Sequence, residues 1–209
     1  MKQWSTFVIT GLTVVTAAGL VTAARSENPG SATLASFDAH GSLNLPRGYR
    51  HWVHIGTRLK PIGINILDGQ VTKTPEIFNA YVEPRAYTRF RRTGRWPDGT
   101  QIVKEFSAVR VGQGCDSATF LCSSPIGAGI FESGFAGLGV MVKDDKRFSD
   151  APGHWGYFSF GHKPLPYNPT ASLRPKDTCE ACHVALASKT DYVILQAHIG
   201  LAAADDELP

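Results

Sequence analysis

Cys179-Glu180-Ala181-Cys182-His183, close to the C-terminus, constrains this chain more than any other stretch. C-x-x-C-H is the attachment signature of c-type haem. Two thiols spaced three apart on a helical turn can add to the two vinyl groups of one porphyrin. The adjacent imidazole then reaches the iron from the same side. The competing reading is a thioredoxin-like redox pair, but no βαβ pattern precedes the motif and a His follows it directly.

The position of the motif excludes one common architecture. A small electron-transfer cytochrome c is usually helical, with its motif near the N-terminus and a Met ligand downstream. Here the motif comes late and no Met follows it; Met141 is the only Met besides the first residue. The sixth iron position is therefore open, or filled by another His, by Met141 or by Lys. An open position points to ligand chemistry rather than pure electron carriage.

The 209 residues have an ordinary composition and suit one globular domain with room for a core. A scattered net charge of +3 argues against nucleic acid as a partner. Arg85, Arg89, Arg91 and Arg92 form the only basic run, and after a Pro in a short helical pattern they read as a solvated helix face. Met1-Lys2 followed by the apolar stretch Phe7–Val21 and the small residues Thr22-Ala23-Ala24 has the form of a secretory signal, cleaved near Ala23 or Ala24. An uncleaved anchor is the alternative, but the stretch is short and diluted by Thr and Gly. The expected organisation is a signal peptide over 1–24, a loose leader over 25–44 and a haem domain over 45–203. Export to a bacterial periplasm fits the motif, because c-type haem is attached on the far side of the inner membrane.

With Cys179 and Cys182 taken by the porphyrin, Cys115 and Cys122 remain, and an oxidising compartment favours their pairing. So short a loop gains only about 2.5 kcal/mol in the chain-entropy estimate. A structural clasp on a Gly/Ser-rich loop is the reading; a redox-active pair or a metal site is the alternative.

Five stretches read as strands: 52–59, 77–82, 101–111, 130–142 and 154–160. Pro84 opens a short helix over 85–92 that Gly94 stops. Residues 143–148 suggest another helical turn. The motif lies on a helix over 178–188 with Thr178 or Asp177 as N-cap. Residues 191–201 are apolar and suit strand or helix. The strands do not alternate regularly with helices, so the fold class is α+β, a mainly antiparallel sheet with short helices and a C-terminal helix carrying the motif.

Gln101-Ile102-Val103-Lys104-Glu105-Phe106 is the second informative stretch. Period-2 alternation puts Ile102, Lys104 and Phe106 on one face, Val103 and Glu105 on the other. If the lysine face is buried, desolvation lowers its pKa and favours the neutral, nucleophilic amine. If the strand is an exposed edge, the charge only discourages aggregation. The pattern alone leaves both standing.

Leu45-Pro46-Arg47-Gly48-Tyr49-Arg50 with Trp52-Val53 is similar to the start of a cytochrome P-460 domain. Tyr81-Val82-Glu83-Pro84, Thr93-Gly94, Asp98-Gly99-Thr100, Val103-Lys104-Glu105, Val142-Lys143-Asp144, Lys146-Arg147-Phe148, Gly153-His154-Trp155 and the terminal C-x-x-C-H continue the resemblance in order, over roughly 40–200. The resemblance implies one c-type haem on an antiparallel sheet, a homodimer, a periplasmic location and an open distal side. It has two branches. Cytochromes P-460 bond a Lys to the porphyrin and oxidise hydroxylamine; cytochromes c′-β have an apolar distal pocket and bind nitric oxide or carbon monoxide.

By position, Lys104 matches the cross-linking lysine and His183 the proximal ligand. Gly139 stands where the P-460 branch has a distal carboxylate, and Phe78 where it has a distal Arg. Without that carboxylate, hydroxylamine dehydrogenation lacks its obvious base; Glu132, on the same strand, is the substitute in the sequence. Phe78 and Gly139 suggest a less polar pocket, lined also by Phe131 or Phe135, unless those Phe are ordinary core. The expected function is that of a haem c protein handling hydroxylamine or nitric oxide, with a soluble electron acceptor if it turns over. A nitric oxide or carbon monoxide binder without turnover is the alternative.

Overall fold

The computed structural model describes Met1 and residues 35–202. The remaining signal-peptide positions, the leader up to 34 and residue 203 lie outside the described residues. The chain divides into two units, Met1–Ser31 and Ala32–Pro209, and the described fold belongs to the second. In chain order its elements are β1 (Leu43–Asn44), β2 (Val53–Lys60), β3 (Glu76–Val82), α1 (Pro84–Thr93), β4 (Gln101–Val109), β5 (Glu132–Lys143), β6 (Trp155–Ser159), β7 (Thr170–Ala171), α2 (Cys179–Ala187) and α3 (Ile199–Ala202). The five strands β2 to β6 form one antiparallel sheet in sequence order, and β1 pairs with β7 in a second, two-stranded sheet. The α+β expectation holds, with each long strand within two residues of its sequence-based bounds.

Alternation along each strand gives the sheet two buried faces. On one, Val82, Ile102, Met141 and Tyr157 pack with Ile55, Ala86, Phe90 and Trp96, and with Val193 and Leu201 from the C-terminal segment. On the other, Val103, Leu138, Val140 and Phe158 pack with Leu43, Tyr49, Phe148 and Tyr167. Side chains as buried as Val103 (0% exposed) and Phe106 (1%) each contribute about 2 kcal/mol from burial. The middle strand β4 is therefore no edge.

Helix α1 begins where Pro84 needs no N–H partner, and the Glu83 carboxylate accepts from the Ala86 N–H at 2.9 Å. It ends where Gly94 turns left-handed (φ 67°) and donates its N–H to Phe90 O. Arg85, Arg89 and Arg92 are exposed, while Ala86 and Phe90 face the sheet. Of residues 143–148, Lys143 ends β5 and the rest close as a hydrogen-bonded turn rather than a helix, with Phe148 N–H donating to Asp144 O at 2.9 Å. Cys115 and Cys122 are disulfide-bonded in the loop between β4 and β5.

Thr178 does stand at the N-terminus of α2, but its hydroxyl donates back to Pro175 O at 2.6 Å and makes no cap bond. The apolar tail over 191–201 is neither one strand nor one helix. It runs through a turn, a 3-10 turn at Leu195–Ala197 and the short α3.

Candidate functional site

The register of the sheet assembles the site. Lys104 stands opposite Ala80 on β3 and Gly139 on β5, and Phe106 stands opposite Phe78 and Gly137. Residues 78, 104 and 139 thus share one face, as the alternation requires. The Lys104 Nζ lies 4.4 Å from the Phe78 ring centroid, a cation–π distance. Above this face, α2 packs over β6 and α3 over β2. The two helices flank β3, β4 and β5.

Helix α2 carries both thiols free, Cys179 half-buried against the apolar cluster and Cys182 exposed. The His183 ring packs against Tyr157 with centroids 4.8 Å apart. Its Nδ1 is 2.6 Å from the Tyr192 carbonyl oxygen. A carbonyl only accepts, so Nδ1 carries the proton and the Nε2 lone pair is left for a metal. Burial pushes the His183 pKa down, and the Lys104 charge adds to this against the Tyr192 bond.

Lys104 lies deep in the protein yet keeps accessible surface, so it borders a recess. Burial lowers its pKa to about 8, helped by the positive charge of Arg58 and opposed by Cys179. A substantial fraction of the amine is neutral at slightly alkaline pH. Cys179 and Lys104 are therefore near enough to interact electrically.

The structure separates other residues from this face. Glu132 accepts from Asn79 Nδ2 at 3.0 Å, and Asn79 pairs with Glu105 on the opposite side of the sheet. Glu132 is not brought to Lys104. Phe135 lies under the Arg50 guanidinium (4.1 Å), which is tied to Glu105 on that same opposite side. Phe131 lies under Arg110 at 4.6 Å. Neither Phe meets Phe78 or Lys104. The register skips Ala136, which turns Phe135 to the Glu105 side; a second skip at Ser133 restores the alternation, so Glu132 stays on the side opposite Gly139.

Three residues of the recess had no sequence signal. Leu67, in the loop between β2 and β3, packs with Phe78 and Phe106. A Cβ at Gly137 would stand 2.6 Å from Leu67 Cδ1, and one at Gly139 3.0 Å from Leu67 Cδ2. The two glycines let this loop lie on the strand. Arg58 pairs with Phe78 across β2 and β3. His198 places its ring edge-on to Phe78, centroids 6.5 Å apart. Pairing of Arg58 needs the register of β2, which slips by one residue at Ile55, and the other two contacts join segments far apart in the chain.

Two free thiols, an imidazole with an available Nε2 and a recess beside Lys104 fit a covalently held porphyrin. Fold and site together define a c-type haem protein with a single attachment motif. The family model for cytochrome P-460 matches residues 46–195, and the chain belongs to that family. The family binds haem c, and its members are typically exported. No curated protein matches the chain.

Proposed function

We propose that the protein is a periplasmic mono-haem c protein whose open iron side takes hydroxylamine or nitric oxide, with Lys104 bonded to the porphyrin. The haem supplies a redox iron with one coordination position free. The chain's own residues set what happens there. Cys179 and Cys182 would hold the porphyrin on α2, and His183, oriented by the Tyr192 carbonyl, would supply the imidazole ligand to its iron. Lys104 offers a nucleophilic nitrogen from the sheet. That amine carries the reading: it lies deep in the protein over the Phe78 ring, its pKa is lowered to about 8, and it is on the same side of the sheet as the thiols.

Oxidation of hydroxylamine releases protons as well as electrons, so it needs a base as well as an electron acceptor. A soluble carrier takes the electrons. The protein works as a homodimer, as its family resemblance implies. Phe78, Gly139 and Leu67 favour a second reading, a nitric oxide or carbon monoxide binder without turnover, because they surround the open side with apolar groups.

Two measurements decide. A denatured tryptic digest of the holoprotein carries haem on both the Lys104 and the Cys179 peptides; haem on the Cys179 peptide alone ends the cross-link. Hydroxylamine-dependent reduction of an artificial acceptor identifies the enzyme. Nitric oxide binding without that reduction identifies the binder.

A further inference from the structure

Three buried nitrogen atoms among the described residues lack a hydrogen-bond partner: Trp96 Nε1, Arg174 Nε and His198 Nδ1. Of these, His198 is the one whose ring meets Phe78. It is 5% exposed. A polar atom removed from water with nothing to bond is uncommon in a native fold, and it calls for a ligand, a water or a functional reason.

The backbone that carries this imidazole is held in place. A Cβ at Gly200 would lie 3.0 Å from the Ile55 Cα and carbonyl oxygen, so α3 rests directly on β2. Leu201 is buried in the core beside Ile55. The His198 N–H donates to Leu195 O at 2.9 Å. His183 reaches the recess from α2, over β6, whereas His198 reaches it from the segment over β2. The two imidazoles thus come from opposite flanks of the strands that carry Lys104. His198 stands on the Phe78 side of the Lys104 strand.

We infer that His198 is a polar group on the open side of the haem, placed to hydrogen-bond a small ligand that carries N–H or O–H. The inference rests on the haem reading above and extends it. Gly139 has no side chain to receive a proton, and Glu132 is on the far face. Burial, and then the positive charge of Lys104, lower the His198 pKa to about 4. The imidazole is neutral at physiological pH. A neutral imidazole has one N–H and one lone pair, so it can donate to a ligand oxygen or accept from a ligand N–H or O–H.

The test uses the holoprotein, its haem content first established by mass, with carbon monoxide as the probe. The C–O stretching frequency of the reduced protein reports hydrogen bonding and polarity at the open side. Replacing His198 by Phe is expected to raise that frequency and to speed carbon monoxide release by about five- to tenfold, the equivalent of one hydrogen bond. His198→Gln, which keeps a hydrogen-bonding side chain, falls between, and it carries the comparison if the Phe variant loses haem. An unchanged frequency in both variants overturns the inference. So does a six-coordinate low-spin spectrum of the oxidised parent that turns high-spin in His198→Phe, which would make His198 an iron ligand. Absence of haem from the Cys179 peptide of the parent protein is a different failure: it removes the haem reading itself, before any carbon monoxide is added.

Discussion

Lys104 and Glu105 are chain neighbours on opposite faces of β4, and the two faces treat charge in opposite ways. Glu105 is 2% exposed and fully engaged. It accepts from Tyr49 Oη at 2.6 Å, Tyr167 Oη at 2.8 Å, and Arg50 Nη2 and Nε at 2.6 and 3.0 Å. Lys104 has the Phe78 ring and, among the described residues, no carboxylate partner. Buried polar groups in a satisfied network specify a structure; buried groups left short of partners are where chemistry is expected. The sheet keeps its structural polarity on one side and its reactive polarity on the other.

The largest test of this contrast compares Glu105→Ala with Lys104→Met in urea unfolding of the haem-free protein. Glu105→Ala removes the acceptor of two hydroxyls and a guanidinium, and it is expected to cost about 3 kcal/mol. The figure sits at the low end because Arg50 is 43% exposed and recovers water. Lys104→Met removes a poorly solvated amine and should change stability by less than about 1 kcal/mol, with either sign. Equal losses would break the contrast.

A middle-sized effect sharpens the reactive face. Gly137→Ala drives a methyl against Leu67 Cδ1 and also to 3.1 Å from the Gly161 carbonyl oxygen, which cannot swing away. A loss of about 2 kcal/mol is expected in thermal unfolding, and Leu67→Ala in the same chain should recover only part of it. Full tolerance of Gly137→Ala would show that the loop does not rest on β5.

The smallest effect is a pH dependence. His162 bonds Glu76 through Nε2 at 2.6 Å and Asp68 through Nδ1 at 2.8 Å, tying the Leu67 loop to the end of β6. Burial opposes its charge, but the bonds and charges of Glu76 and Asp68 outweigh this and raise its pKa. The stabilisation is therefore complete below the ordinary histidine value and is lost as pH rises through the raised one. The urea midpoint should fall as pH rises from below the ordinary histidine value through the raised one, and His162→Gln should flatten that slope. An unchanged slope in the variant would assign the pH effect to another group.

Most of the scaffold was legible because it rests on local rules. Alternation gave the strands and separated Lys104 from Glu105, and Pro84 with Gly94 bounded α1. Alternation alone also put Phe135 on the face of Gly139 and Gly137. The extra residue at Ala136 reversed that, and nothing in the local sequence marks it. Leu67 and His198 belong to the recess through contacts between segments far apart in the chain, which no local pattern reports. The attachment motif, by contrast, was complete within five residues, Cys179 to His183.

The cluster around Glu105 has a consequence for the other side of the sheet. A strand that slips by one position exchanges everything it shows to its two sides. In β4 such a slip would offer a carboxylate to the recess and bury an ammonium between Tyr49 and Tyr167. Arg50 repels an ammonium, and its guanidinium and the two tyrosine hydroxyls donate to the carboxylate, so they act as an index pin for the whole strand. The position of the lysine nitrogen is thereby set from behind, by side chains that never touch the recess.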